Sequence, residues 1–275
     1  MSKKRKRINL LGDILGCLAA LVIFIIPFYF MFLTALKDKK SANLMKLSIP
    51  ETFHWENFAE VWEKSDLLLA YKNSILLTAI SVVLLILVGS MAGYVLQRRN
   101  DKVTSTANAL VMTGLMIPPA ILPTIWIMQK IGIYKTMIGM SLVEVALQIP
   151  FTIMLYRGFM SSVPVELEEA GYIDGCTVPG LFAKIVFPLL KPVTSTVIIL
   201  NAVNIFNDFT NPLYFLPGAK NVTVQLTLYN FNGRFSSSYN LLFADVLLIT
   251  IPMLILFIFF NKKIVDGMVA GAVKG

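Results

Sequence analysis

Charge is what this chain has least of. Only 15% of its 275 residues are charged, while 56% are hydrophobic. Soluble domains carry about 25% charged and about 45–50% apolar residues. Too few polar side chains are present to cover a packed soluble core, so soluble globular and disordered classes are excluded. Histidine is almost missing: His54 stands alone in a polar stretch, where a solvated role is expected. The two cysteines, Cys17 and Cys176, lie in an apolar run and a polar segment respectively. Neither a disulfide framework nor a clustered metal site follows from them. The alternation over about 10 residues that marks barrel strands is also lacking. So is the phosphate-cradling pattern Gly-x4-Gly-Lys-Ser/Thr; Gly218-Ala219-Lys220 is only a fragment of a loop.

Long uncharged runs are what the chain does have. Ile14 to Leu36 and Ser74 to Leu96 are each 23 residues without charge. About 20 apolar residues cross a bilayer's hydrocarbon. Six spans are expected, at about 12–36, 74–96, 104–129, 137–157, 193–213 and 241–260. The class is therefore all-α and polytopic. Residues 1–11 form a basic N-terminal segment and 261–275 a short tail. The first run is too long for a signal peptide's apolar region of about 7–15 residues, so it reads as a retained span. Pro118, Pro119 and Pro123 predict a bend or break near Met116–Pro123. Between the first two runs, Phe58, Val61, Trp62 and Leu68 recur at helical spacing, which predicts a short surface helix in an outer loop.

The basic cluster Lys3-Lys4-Arg5-Lys6-Arg7 precedes the first span. Cytoplasmic flanks carry excess Lys and Arg, so the cluster places the N-terminus in the cytoplasm. With six spans the C-terminus lies there too.

The polar stretch 161–192 is the most informative part of the chain. Pro164 suits a helix's first turn, and Glu166, Glu168 and Glu169 complement its dipole. Val163, Leu167, Ala170, Gly171 and Asp174 recur every three or four residues and are expected to share a face. Gly175 is an expected stop. A second short helix is expected from Pro179 to Pro188. The acidic face argues against a helix lying on an anionic leaflet and for one that docks a soluble partner.

These residues carry a resemblance. The segment is similar to the cytoplasmic signature of permease subunits of ATP-binding-cassette (ABC) importers: Glu-Ala-Ala, three residues, Gly, nine residues, Ile-x-Leu-Pro. Here Glu169-Ala170-Gly171 precedes Gly175, and Ile185-Val186-Phe187-Pro188 follows at the same spacing. Gly171 replaces the second alanine and Phe187 the leucine. Further likeness to maltose-type, oligosaccharide-importing permeases lies in Asn73-Ser74, Ala92-Gly93-Tyr94, Met116-Ile117-Pro118-Pro119, Phe206-Asn207-Asp208-Phe209, Pro212-Leu213 and the tail Gly271-Ala272-Val273-Lys274-Gly275.

The resemblance implies a type I importer permease fold in a bacterial inner membrane. It implies a coupling helix in 161–176, with Glu168, Glu169, Ala170, Gly171, Asp174, Gly175, Ile185 and Pro188 forming the coupling site. Glu169 would face a basic residue of a separate ATPase. The tail would reach between two ATPase subunits. The expected partners are a second, homologous permease, two ATP-binding-cassette ATPases and an extracytoplasmic solute-binding protein, without nucleic acid. No cofactor is expected on this chain; ATP and Mg belong to the ATPases.

Asn204, Asn207, Asp208 and Asn211 stand at helical spacing on span five. They suit sugar hydroxyls along a substrate path, or interhelical hydrogen bonds. An intramembrane enzyme would need paired carboxylates or a His constellation within the spans, and only Glu144 and Asp208, both expected near the outer side, are candidates. An ion-coupled carrier would commonly show an inverted repeat, and none is evident.

Overall fold

In hydrocarbon the backbone has no water to bond, so each apolar run must satisfy its own N–H and C=O groups as a helix. The structure, a computed structural model, describes residues 3–231 and 237–272, and no extended strand occurs among them. In chain order the helices are α1 (Lys3–Ala35), α2 (Lys39–Asn43), α3 (Glu56–Lys64), α4 (Leu67–Arg98), α5 (Lys102–Thr113), α6 (Ile121–Lys130) and α7 (Met137–Met160). They continue with α8 (Glu166–Ile173), α9 (Val178–Leu181), α10 (Phe187–Leu189), α11 (Lys191–Phe206), α12 (Thr210–Phe215) and α13 (Tyr239–Ala272).

Among the described residues, four helical segments are long and apolar enough to cross a membrane: Gly16–Ala35, Leu67–Arg98, Met137–Met160 and Tyr239–Phe259. A fifth is added if Val178–Leu189 and Lys191–Phe206, bent by 75°, count as one. Chain contacts define two units: Met1–Leu68 with Thr227–Ile251, and Leu69–Leu226 with Pro252–Gly275.

In the first unit one buried amide joins three segments. Asn57 Nδ2 donates to the carbonyls of Ala35 (2.8 Å) and Lys37 (3.0 Å), two groups that the end of α1 leaves without helical partners. Asn57 Oδ1 accepts from Asn240 Nδ2 at 3.0 Å, at the start of α13. Nearby, Asn43 donates to the Ser237 carbonyl at 3.0 Å and accepts from the Tyr239 amide at 3.3 Å. The predicted surface helix is α3, which buries Val61 and leaves Trp62 exposed. Asp38 caps α2 by accepting from the amides of Lys40 and Ser41, and its hydrogen bonding with Ser41 holds the carboxyl below its ordinary pKa. His54 sits between Thr52 and Glu56, bonded to both.

In the second unit α4 and α7 approach closely. A Cβ built on Gly89 would stand 2.6 Å from Thr152 Cγ2, and one on Gly93 would stand 2.6 Å from Tyr156 Cβ and 3.1 Å from the Arg157 amide. Small residues one turn apart allow such backbone approach. On its other side α7 meets α11 through Tyr156 OH, which donates to Thr194 Oγ1 at 3.0 Å, and through Asn201 Nδ2, which donates to Thr152 Oγ1 at 3.3 Å. Asp101 caps α5 in a reciprocal capping box with Thr104, whose hydrogen bond holds the Asp101 carboxyl below its ordinary pKa.

Several expected elements differ in extent or continuity, α4 beginning at Leu67 and α13 running on to Ala272. The expected span 104–129 is two short helices, α5 and α6, separated by residues 114–120. Pro118 and Pro119 lie in that gap, whereas Pro123 sits in the first turn of α6, where proline breaks no hydrogen bond. The expected span 193–213 ends as α11 at Phe206 and resumes as α12 at Thr210. Asp208 Oδ1 accepts from the Asn211 amide at 3.2 Å, a local bond that competes with helix continuation. The second short helix, expected from Pro179 to Pro188, runs from Val178 to Leu189 and contains a π-helical turn at Phe182–Val186. That wider turn precedes Pro188, whose ring would clash with a carbonyl four residues back.

Asn57 should therefore be costly to replace. Asn57→Leu leaves buried carbonyls without donors, which is worth about 2 kcal/mol. A lowering of melting temperature by several degrees in detergent is expected, against no change for Asn100→Leu on the exposed 99–101 turn.

Candidate functional site

Helix α8 starts with Glu166, Glu168 and Glu169 in its first turn, where negative charge meets the positive end of the dipole. Its end is a complete Schellman motif. Gly175 has φ +80°, its amide bonds the Tyr172 carbonyl at 3.0 Å, and the Cys176 amide bonds the Gly171 carbonyl at 3.0 Å. A Cβ on Gly175 would meet nothing within 4 Å. Glycine is required there by backbone conformation and not by closeness inside this chain.

The adjacent acids differ in burial. Glu168 is only 5% exposed, while Glu169 is exposed. Glu168 Oε1 accepts from Arg98 Nε at 2.7 Å and Oε2 accepts from Tyr94 OH at 2.9 Å. Arg98 also donates through Nη2 to the Val163 carbonyl at 2.8 Å and through Nη1 to the Met160 carbonyl at 3.5 Å. A cation at the carbonyl end of α7 is favoured by that helix's dipole. Glu168, expected in the coupling site, is buried and anchors α8 to α4.

The expected shared face also divides. Val163 and Gly171 are buried, whereas Leu167, Ala170 and Asp174 are exposed. Gly171 is pressed against its own chain: an added Cβ would lie 2.5 Å from Ile185 Cδ1 and 2.7 Å from Leu181 Cδ1. Ile185 is half-buried and Pro188 exposed. The outward side of α8 thus presents Glu169, Ala170, Asp174 and Gly175 with Leu167, Tyr172 and Ile173, the last 86% exposed. This is an acidic and apolar surface held from behind by an ion pair. Sequence reasoning missed Arg98 and Tyr94. Arg98 reads as a topology charge at the end of an apolar run, and nothing local points it at a glutamate 70 residues on.

The amides near the end of α11 separate by role. Asn201 is the buried, interhelical one. Asn204 and Asn207 are exposed, Asn207 accepting from Gln225 Nε2 at 3.1 Å. Asp208 and Asn211 bond each other within the turn before α12. Of the tail, Gly271 and Ala272 continue the backbone of α13, and Val273, Lys274 and Gly275 lie outside the described residues. No group of three or more His, Cys, Asp or Glu suited to a metal occurs among the described residues.

Helices without extended strands among the described residues, apolar segments of crossing length and an anchored helix between α7 and α11 fit a polytopic membrane protein. Residues 85–269 match the family described as binding-protein-dependent transport system inner membrane component, and the chain belongs to that family. It is 35% identical over 277 residues to the melibiose/raffinose/stachyose import permease protein MelC of Bacillus subtilis (strain 168), covering 100% of this chain and 98% of that one. It is 31% identical over 280 residues to the arabinooligosaccharides transport system permease protein AraQ of Halalkalibacterium halodurans, covering 99% and 100%. Its fold matches, at TM-score 0.80 and 18% identity, a chain in the crystal structure of a bacterial ABC transporter involved in the import of the acidic polysaccharide alginate, covering 95% of this chain and 98% of that chain. The chain is a permease subunit of an ABC importer, a transport component of the inner membrane.

The glycine inside α8 and the one that ends it should respond differently to alanine. At Gly171 the added methyl meets only the movable ends of Ile185 and Leu181. At Gly175 the left-handed backbone costs an L-residue roughly 1–2 kcal/mol. Thermal unfolding of the purified protein should shift downward by several degrees for Gly175→Ala and less for Gly171→Ala.

Proposed function

We propose that this chain forms half of the membrane path of a carbohydrate importer and receives ATP-driven motion through the exposed side of α8. The carrying observation is the split of Glu168 and Glu169. One carboxylate anchors the helix from behind, and its neighbour is left outside, beside exposed apolar residues. A helix so held offers a soluble partner a firm, acidic surface. The docked partner is an ATPase subunit with a basic residue opposite Glu169, and ATP and Mg reside on that partner. A second homologous permease completes the path. The family's dependence on a binding protein, together with relatives whose names specify melibiose, raffinose, stachyose and arabinooligosaccharides, supports delivery of a sugar or oligosaccharide from outside.

Six crossings are consistent with the helix lengths. At 1.5 Å per residue, α5 and α6 span about 18 and about 15 Å. Neither crosses a hydrocarbon of about 30 Å alone, but together they do. The fifth crossing is the bent pair Val178–Leu189 and Lys191–Phe206 taken as one segment. Both termini then lie in the cytoplasm with α8, and the end of α13 at Gly271 and Ala272 lies on the ATPase side. Asn204 and Asn207, exposed near the end of a membrane arm, suit sugar hydroxyls in the path between the two permeases.

Reversing the exposed charge tests the docking. Glu169→Lys should insert normally yet lose transport and ATPase association, since bringing like charges together in a desolvated contact costs several kcal/mol. Uptake and ATPase co-purification at native levels in a well-inserted Glu169→Lys protein would overturn the proposal.

A further inference from the structure

The geometry behind α8 carries a second role. We propose that the Arg98–Glu168 ion pair, steadied by Tyr94, is the strut that passes displacement of α8 to α4 and α7. Arg98 and Glu168 are thus positioning residues for transport and make no contact with the ATPase. The inference rests on the reading of α8 as the docking helix.

Peptide connections alone would transmit such a displacement poorly. On one side α8 joins α7 through residues 161–165, and on the other it joins α9 through the turn at 174–177. Both are short nonhelical links that can bend. To α4 it has no nearby covalent link, since Arg98 and Glu168 are 70 residues apart. The side chains bridge that gap. The side chains of Arg98 and Glu168 are 16% and 7% exposed, so little water competes for the pair. The guanidinium holds the Glu168 carboxylate with one edge and the carbonyls of Val163 and Met160 with the other. Tyr94, one turn back on α4, takes the second carboxylate oxygen. Each oxygen of Glu168 is therefore tied to α4, and the same arginine is tied to the end of α7.

Two further contacts stiffen the assembly. Gly89 and Gly93 bring α4 against α7 over the two turns preceding Arg98. The Tyr94 ring lies 5.5 Å from that of Phe182, in the π-helical turn, and Phe182 lies 6.0 Å from Phe187. A push on α8 is thereby delivered to the α4–α7 pair as one body. A buried ion pair contributes little net stability over apolar packing, but its directional bonds specify geometry. That is the property a strut needs.

The test uses the full transporter reconstituted in lipid vesicles with its binding protein, and reads three quantities: ATPase co-purification, ATP hydrolysis, and substrate uptake per ATP hydrolysed. Glu168→Gln keeps the shape of the side chain and removes its charge. It should retain the ATPase but lower uptake per ATP about tenfold, the weight of one charge-assisted hydrogen bond. Arg98→Gln should do the same, and the double variant should be no worse than either single one, as expected of two residues acting through one interaction. Tyr94→Phe, which leaves the ion pair in place, should lower the ratio about twofold to threefold. If Glu168→Gln fails to insert, Tyr94→Phe decides: an unchanged ratio overturns the strut. Additive losses in the double variant overturn it too. Loss of the ATPase from Glu168→Gln would show that Glu168 acts in docking, again against the strut. If the native chain itself retains no ATPase, it is the docking reading that fails.

Discussion

Close approach of α4 and α7 is the constraint on which the second unit depends. Helices in lipid gain nothing from hiding apolar surface, because the surroundings are equally apolar. They associate where backbones can come near and dispersion contacts are dense. Gly89 and Gly93 provide that nearness, with Thr152 and Tyr156 filling the space their missing side chains leave. The rest follows from the pairing. Tyr156, held against Gly93, reaches Thr194 and so orients α11. Arg98, at the end of the paired stretch, arrives beside the last carbonyls of α7 and the first turn of α8. The position of the outward side of α8 is thus a consequence of two missing side chains.

Polar groups in this chain separate into those that build and those that face outward, and their burial tells them apart. Asn57 and Asn201 are buried and spend their amides on carbonyls or hydroxyls of neighbouring segments. Glu168 is buried and paired. Glu169, Asn204 and Asn207 are exposed on a chain otherwise short of polar surface. A permease performs no bond chemistry of its own. Its function resides in where such outward groups stand and in how firmly the helices beneath them are connected.

Much of this was legible from residues alone, because it depends on composition and short spacing. The apolar runs announce α1, α4, α7 and the first part of α13; the proline pair marks the interruption between α5 and α6; and the spacing of Glu169, Gly175 and Pro188 points to the family. What was hidden depends on residues distant in sequence. Glu168 and Glu169 are chemically identical neighbours about 100° apart around a helix, and Arg98 and Tyr94, distant in sequence, hold the first of them inward. Gly171 looks like an opening for a partner until Ile185 and Leu181 are found filling it. The end of α11 at Phe206 was hidden for another reason. Apolar periodicity continues through Pro212, while the local bonds of Asp208 to Asn211 end the helix.

Site-directed cross-linking would test the outward face of α8 most directly. With Cys17 and Cys176 first changed to serine, a single cysteine is placed at Ala170 or at Glu168 in otherwise native transporter in membranes. A short bifunctional thiol–amine reagent should join position 170 to the ATPase subunit in high yield and leave position 168 unjoined. Cross-linking from position 168 with none from position 170 would contradict the account, because it would put the buried anchor and the exposed docking side the wrong way round.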